Sequence, residues 1–127
     1  MAEVFVSGVF DDLRTRDVRF LQEASRLGRL TVLLWPDEAV RLQEGRPPEF
    51  PLAERRYLLE SLRFVDRVLP LDREVGADRL PLPDGSRPDL WAMPSGEDNP
   101  DRRRYCYSQG IELSVIQIGR ASCRERV

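Results

Sequence analysis

The residues best suited to chemistry stand together near the N-terminus, in Val6-Ser7-Gly8-Val9-Phe10-Asp11-Asp12-Leu13-Arg14-Thr15-Arg16-Asp17. An apolar run ends at Gly8, and a helical pattern begins a few residues later. A glycine at such a turn allows close backbone approach, and the free N–H groups that open the helix attract a phosphate. The chain has no histidine and no lysine, so every basic side chain is arginine. That excludes a Ser-His-Asp triad, a histidine metal site, a Schiff base and a P-loop lysine. Arginine keeps its proton near neutral pH, so it clamps anions and makes a poor general base. Cys106 and Cys123 lack metal-ligand spacing, and no base is available to activate Cys106, which reads as a small core residue. No metal site made by the chain itself is expected.

The elements that must position this stretch alternate along the chain. Glu3 to Ser7 reads as a first strand. Phe20, Leu21, Ala24 and Leu27 mark one face of a helix over Asp17 to Leu27, stopped by Gly28. Leu30 to Trp35 is a continuous apolar run, as in a strand covered on both faces. Asp37 is suited to cap a short helix to about Gln43, and Gly45 to Pro51 is a loop. A helix follows from about Leu52, with Leu58, Leu59, Leu62 and Val65 as its buried stripe, and a strand lies within Val65 to Leu71. Residues 72–88 are polar and rich in proline, and only 77–82 suggest a helical turn. Asp89 to Met93 reads as a fourth strand. Asn99-Pro100 is a helix start, with a side-chain cap and then proline at the first helical position, and Gly110 ends that helix. Glu112 to Ile116 is a fifth strand.

Such alternation predicts an α/β fold, a three-layer sandwich with a parallel sheet of about five strands, helices on both faces and right-handed crossovers. In such a sheet ligands bind beyond the carboxyl ends of the strands, where the strand order reverses. The end of the first strand is therefore the expected site.

Composition bounds the partners. The chain has 127 residues, 41% hydrophobic and 33% charged, which suits one folded domain. Its net charge of −2 argues against a partner held by phosphate neutralisation, so no nucleic acid is expected. No apolar run approaches membrane-span length, and the acidic start, Met1-Ala2-Glu3, is unlike a secretory signal. A cytoplasmic protein with no membrane partner is expected. The tail Ile118-Gly119-Arg120-Ala121-Ser122-Cys123 reads as ATC-GGA-AGA-GCG-TCG-TGT, a translation of a sequencing-library adapter. Residues 118–127 are accordingly set apart from a domain spanning 1–117, with native sequence expected to continue differently past about residue 117.

The opening segment resembles that of the cytidylyltransferase-like nucleotidyltransferases, whose pattern is G-x-F-D-x-x-H-x-G-H followed by a helix. Gly8, Phe10 and Asp11 stand in register. Similar text continues through Val18 to Gly28, Asp37 to Val40, Gly45-Arg46-Pro47, Glu54-Arg55, Leu62 to Val68, Arg87 to Trp91, and Cys106 to Ile116. The chain departs from the family at the histidines, where it has Arg14 and Asp17, at the glycine between them, now Arg16, and at Glu44 before the Gly-Arg of the loop. The closing serine/threonine-rich motif would lie beyond Ile116.

The resemblance implies a Rossmann-like fold and transfer of CMP or AMP from CTP or ATP to a small phosphorylated acceptor, with release of pyrophosphate. Mg²⁺ would accompany the triphosphate, and a homodimer is possible. By this resemblance Arg14 and Arg16 are the catalytic candidates, since a guanidinium offers a two-pronged grip on phosphate in place of imidazole. Gly8, Val9, Phe10, Asp11, Asp17, Arg46, Arg55, Ser95 and Asp98 are the candidate nucleotide-binding residues. Each has a plainer reading beside it. Asp17 suits a helix cap, Arg46 an exposed loop, Arg55 a surface pair with Glu54, and Asp98 the turn before Pro100. Trp35 and Trp91 read as core, and Arg102-Arg103-Arg104 as the solvated face of a helix. The alternative function is a catalytically degenerate nucleotide-binding or interaction domain of the same fold.

Overall fold

Successive side chains of a strand point to opposite faces, and this divides the core in two. In β1 (Glu3–Gly8), Val4 and Val6 enter one apolar cluster and Phe5 enters the other. In β2 (Arg29–Leu34), Leu30, Val32 and Leu34 join Val4 and Val6, while Leu33 joins Phe5. With β3 (Arg67–Pro70), β4 (Leu90–Pro94) and β5 (Glu112–Ile116) they form one five-stranded sheet, ordered β3-β2-β1-β4-β5 and parallel throughout. The structure, a computed structural model, describes residues 2–71, 78–82, 85 and 87–117.

Helices cover both faces. α1 (Thr15–Ser25) lays Phe20, Leu21 and Ala24 on the first cluster, beside Leu59 of α3 (Leu52–Glu60). α4 (Pro100–Gln109) buries Cys106 in the second cluster, with Leu80 and Ile111. Burial pushes the Cys106 thiol up, as befits a packing residue. α2 (Asp37–Glu44) follows β2 and buries Ala39 and Val40. This is the expected Rossmann-like three-layer α/β sandwich.

Several expectations are corrected in detail. α1 ends at Ser25, so Leu27 falls outside it and is 40% exposed. α3 ends at Glu60 and turns Leu58 to solvent, whereas Leu62 and Val65 pack half-buried from the following turns. Asp37 is the first residue of α2 rather than its cap, and its carboxylate is engaged elsewhere. Ala77 and residues 118–127 lie outside the described residues, and Asp78 to Leu80 form a turn and bend without helix. The start of α4 is as predicted. Asn99 Oδ1 accepts the Arg102 N–H at 2.8 Å, Pro100 follows, and Gly110 closes the helix with φ 71°. No helix among the described residues is long and apolar enough to cross a membrane.

The middle of the sheet positions the site. β1 and β4 are in register only at Val4↔Leu90 and Phe5↔Trp91. β1 stays with β2 as far as Gly8↔Leu34, and β4 stays with β5 as far as Pro94↔Ile116. The two central strands therefore part at their carboxyl ends, where the strand order reverses.

Candidate functional site

The parting strands open a cleft of about 680 Å³. One wall runs from Ser7 through the loop after β1 to Arg14, Arg16 and Asp17 at the start of α1, and the other comprises Trp91 to Ser95, Glu97 and Arg102. Glu44, Arg46 and Glu49 border it from the end of α2 and the α2–α3 loop.

The loop after β1 is held in a strained shape. Phe10 and Asp12 have φ of 50° and 52°, the left-handed region that non-glycine residues rarely occupy, at a cost on the order of 1–3 kcal/mol each. Gly8 leaves room for this fold-back, since a Cβ there would lie 3.2 Å from the Phe10 ring. Asp11 lines the cleft, but its carboxylate is taken up by the α2–α3 loop, accepting the N–H groups of Glu49 at 2.7 Å and Phe50 at 2.9 Å. Arg55 completes the clamp. It donates to the carbonyls of Val9 and Phe50, each at 2.9 Å, and to the Asp37 carboxylate at 2.6 Å. The Arg55 side chain is 1% exposed and does not line the cleft. It is thus an internal strut of the loop, not the nucleotide contact that the sequence suggested.

The other predicted residues separate in the same way. Gly8, Val9, Phe10, Asp11, Arg14, Arg16, Asp17, Arg46 and Ser95 all line the cleft. Asp17 Oδ2 accepts the Arg14 N–H at 2.9 Å, so it caps α1 as well as bordering the cavity. Arg14 is 77% exposed and pairs with Asp12 at 3.0 Å. Arg16 and Arg46 have no ion-pair partner among the described residues. Asp98 lies outside the lining and pairs with Arg103, whose hydrogen bond holds its carboxyl below the usual range.

Glu97 and Arg102 are among the lining residues that the sequence did not mark for the site. Arg103 and Arg104 do form a solvated face, paired with Asp98 and Asp101. Arg102 turns inward. Its Nε lies 3.1 Å from Asp78 and its Nη1 3.7 Å from Glu97, and its guanidinium sits 5.3 Å from the centre of the buried Trp91 ring. Helical periodicity carried the signal, because Arg102 shares a face with Tyr105 and Cys106.

Four arginines and six carboxylates line the cleft (Asp11, Asp12, Asp17, Glu44, Glu49 and Glu97). Among the described residues no group of three or more metal-ligating side chains is placed to hold an ion. The arrangement offers cations and helix N–H groups to an anion, but no protein metal cage.

No family model matches the chain. It is 35% identical over 118 residues to a FAD synthase of Pyrococcus horikoshii, covering 91% of this chain and 78% of that protein. A FAD synthase of Thermococcus onnurineus is 42% identical over 123 residues, covering 91% and 77%. The bifunctional protein HldE of Hydrogenovibrio crunogenus is 45% identical over 120 residues, covering 91% of this chain and 24% of that longer protein. Among solved structures, a lipopolysaccharide core biosynthesis protein from Thermoplasma volcanium superposes with a TM-score of 0.68 at 23% identity, covering 94% of this chain and 97% of that one, which supports the fold.

Proposed function

The chain belongs to the cytidylyltransferase-like nucleotidyltransferase superfamily, and from that membership we propose that it transfers AMP or CMP from ATP or CTP to a small phosphorylated metabolite. The FAD synthase relatives make adenylyl transfer the first reaction to test. An oxygen of the acceptor phosphate bonds to the α-phosphorus, the bond to the bridging oxygen breaks, and pyrophosphate leaves with the electron pair. No covalent enzyme intermediate is needed. Catalysis rests on alignment and on cancelling charge at the α-phosphorus and the leaving group.

The observation that carries this reading is that one cavity gathers Arg14, Arg16, Arg46 and the N-terminal end of α1. Arg16 and Arg46 meet the triphosphate as free cations. Arg14 exchanges its Asp12 partner for phosphate. The triphosphate enters as its Mg²⁺ complex, because the lining carboxylates would repel a bare polyanion. Mg²⁺ takes most of its ligands from phosphate oxygens and water. Residues 1–117 form the nucleotide-binding domain in this reading, residues 118–127 are an adapter translation, and the protein works in the cytoplasm, where a homodimer is possible.

Pyrophosphate release tests the proposal, measured with ATP or CTP, Mg²⁺ and a panel of phosphorylated acceptors that includes FMN. Acceptor-dependent release that falls at least about 10-fold in Arg16→Ala is expected, the loss of one charged phosphate contact. Nucleotide binding with no release under any acceptor would favour the degenerate binding domain, which Arg14 and Asp17 at the histidine positions already suggest.

A further inference from the structure

Resting on that reading, we propose that Arg102 is a specificity-determining residue that hydrogen-bonds the nucleobase of the bound nucleotide. Its place in the cleft is the first argument. The free cations and the start of α1 suit the phosphates, so the nucleoside must extend through the rest of the same cavity, along the wall of Trp91 to Ser95 where Arg102 stands.

Its charge is the second argument. Asp78 at 3.1 Å and Glu97 at 3.7 Å offset the guanidinium. A phosphate brought there would meet the repulsion of Glu97 with its full charge, whereas a neutral acceptor atom carries only a partial charge and is repelled far less. Arg16 and Arg46 carry no such counter-charge among the described residues.

Its geometry is the third. The guanidinium lies over Trp91, Nη1 is 3.6 Å from Met93 Sδ, and Asp78 is itself held by Asn99 Nδ2 at 3.0 Å. The side chain is 14% exposed. Nε and Nη1 are thus engaged, while Nη2 has no protein partner among the described residues. A planar donor held by Asp78, Met93 and Trp91, on a residue that lines the cavity, is organised before any ligand arrives. Guanidinium only donates. It rewards a ring nitrogen or carbonyl oxygen on the base edge and opposes an exocyclic amino group.

Calorimetric titration of the full chain with ATP, CTP and inorganic tripolyphosphate, each with Mg²⁺, tests this. Arg102→Met should weaken the preferred nucleotide about 10-fold or more, as expected for a lost hydrogen bond to a charged donor. It should narrow the ATP-to-CTP ratio and leave tripolyphosphate within about 2-fold, since no phosphate contact changes. Arg102→Lys should lose the discrimination too, because an ammonium on a flexible stem has no fixed plane. Equal weakening of tripolyphosphate would overturn the proposal by making Arg102 a phosphate clamp, and unchanged nucleotide affinity would overturn it by making Arg102 purely structural. If a variant fails to fold, the side-chain Nε–H resonance of Arg102 in the unaltered chain decides. It should shift with the preferred nucleotide and stay in place with tripolyphosphate, and the reverse would refute the assignment. An unaltered chain that binds tripolyphosphate but neither nucleotide refutes the proposal alone; one that binds none of the three refutes the transferase reading with it.

Discussion

On one side of the cleft Arg16 and Arg46 stand exposed, with no carboxylate partner among the described residues. On the other, Arg102 lies nearly buried between Asp78 and Glu97, on the face of Trp91. Away from the cavity, Arg55 has spent all its bonding on Val9, Phe50 and Asp37. The same side chain is a free charge, a neutralised donor and a strut at these places. What an arginine offers a ligand is decided by what already holds it, and the type of residue alone does not reveal that.

The largest effect should come from the strut. Arg55→Met strips donors from two carbonyls and a carboxylate and unpins a loop that carries two left-handed residues. A loss of about 3 kcal/mol is expected, read as a lower urea midpoint at constant slope. A loss below about 1 kcal/mol would mean that Asp11 alone secures the loop.

Next comes the contrast between free and occupied cations. Arg16→Ala and Arg46→Ala should each weaken Mg²⁺-tripolyphosphate binding about 10-fold, while Arg103→Ala, paired outside the cavity, should leave it unchanged. Arg14→Ala should fall between them, because the Asp12 pair at 3.0 Å competes with the ligand. Asp12→Asn should therefore tighten binding by a few-fold, the reverse sign. Calorimetry that finds Arg14→Ala and Arg103→Ala equal would remove Arg14 from the site.

The smallest effect concerns acid stability on the Arg102 side. Hydrogen bonds from Asn99 and then Arg102 hold the Asp78 carboxyl below its ordinary range. A carboxylate with a depressed folded value adds stability that is complete above its unfolded value, near 3.9, and is lost as pH falls through the folded value. Asp78→Asn should thus remove that contribution at neutral pH and flatten the acid limb, so that the two chains converge in stability as pH falls below about 4. The side chain is 41% exposed, so solvent screening keeps the change slight. An equal loss persisting below about pH 4 would show that the Asp78 hydrogen bonds matter more than its charge.

The Gly8 to Asp17 side was legible in the sequence because its chemistry is contiguous, and nine of the eleven named residues line the cleft. The strands were legible because burial on both faces forces unbroken apolar runs. What escaped depends on partners distant in the chain. Asp37 looked like a cap but bonds Arg55 from the next helix, and Arg102 was hidden in a run of three arginines. Leu27 fits the period of α1, yet the helix stops at Ser25 and the chain turns away at Gly28. A side chain there would strike the Ala2 carbonyl, at 2.3 Å from the Cβ position, and the Arg29 N–H instead bonds that carbonyl at 2.8 Å.

The short register between β1 and β4 makes the sheet two leaves on a narrow spine, with the first three strands on one side and the last two on the other. The spine lies at the closed end, while Ala92 and Ile116 of the second leaf share an apolar cluster with Phe20 and Leu21 of α1, so that helix laces the leaves together where the strands diverge.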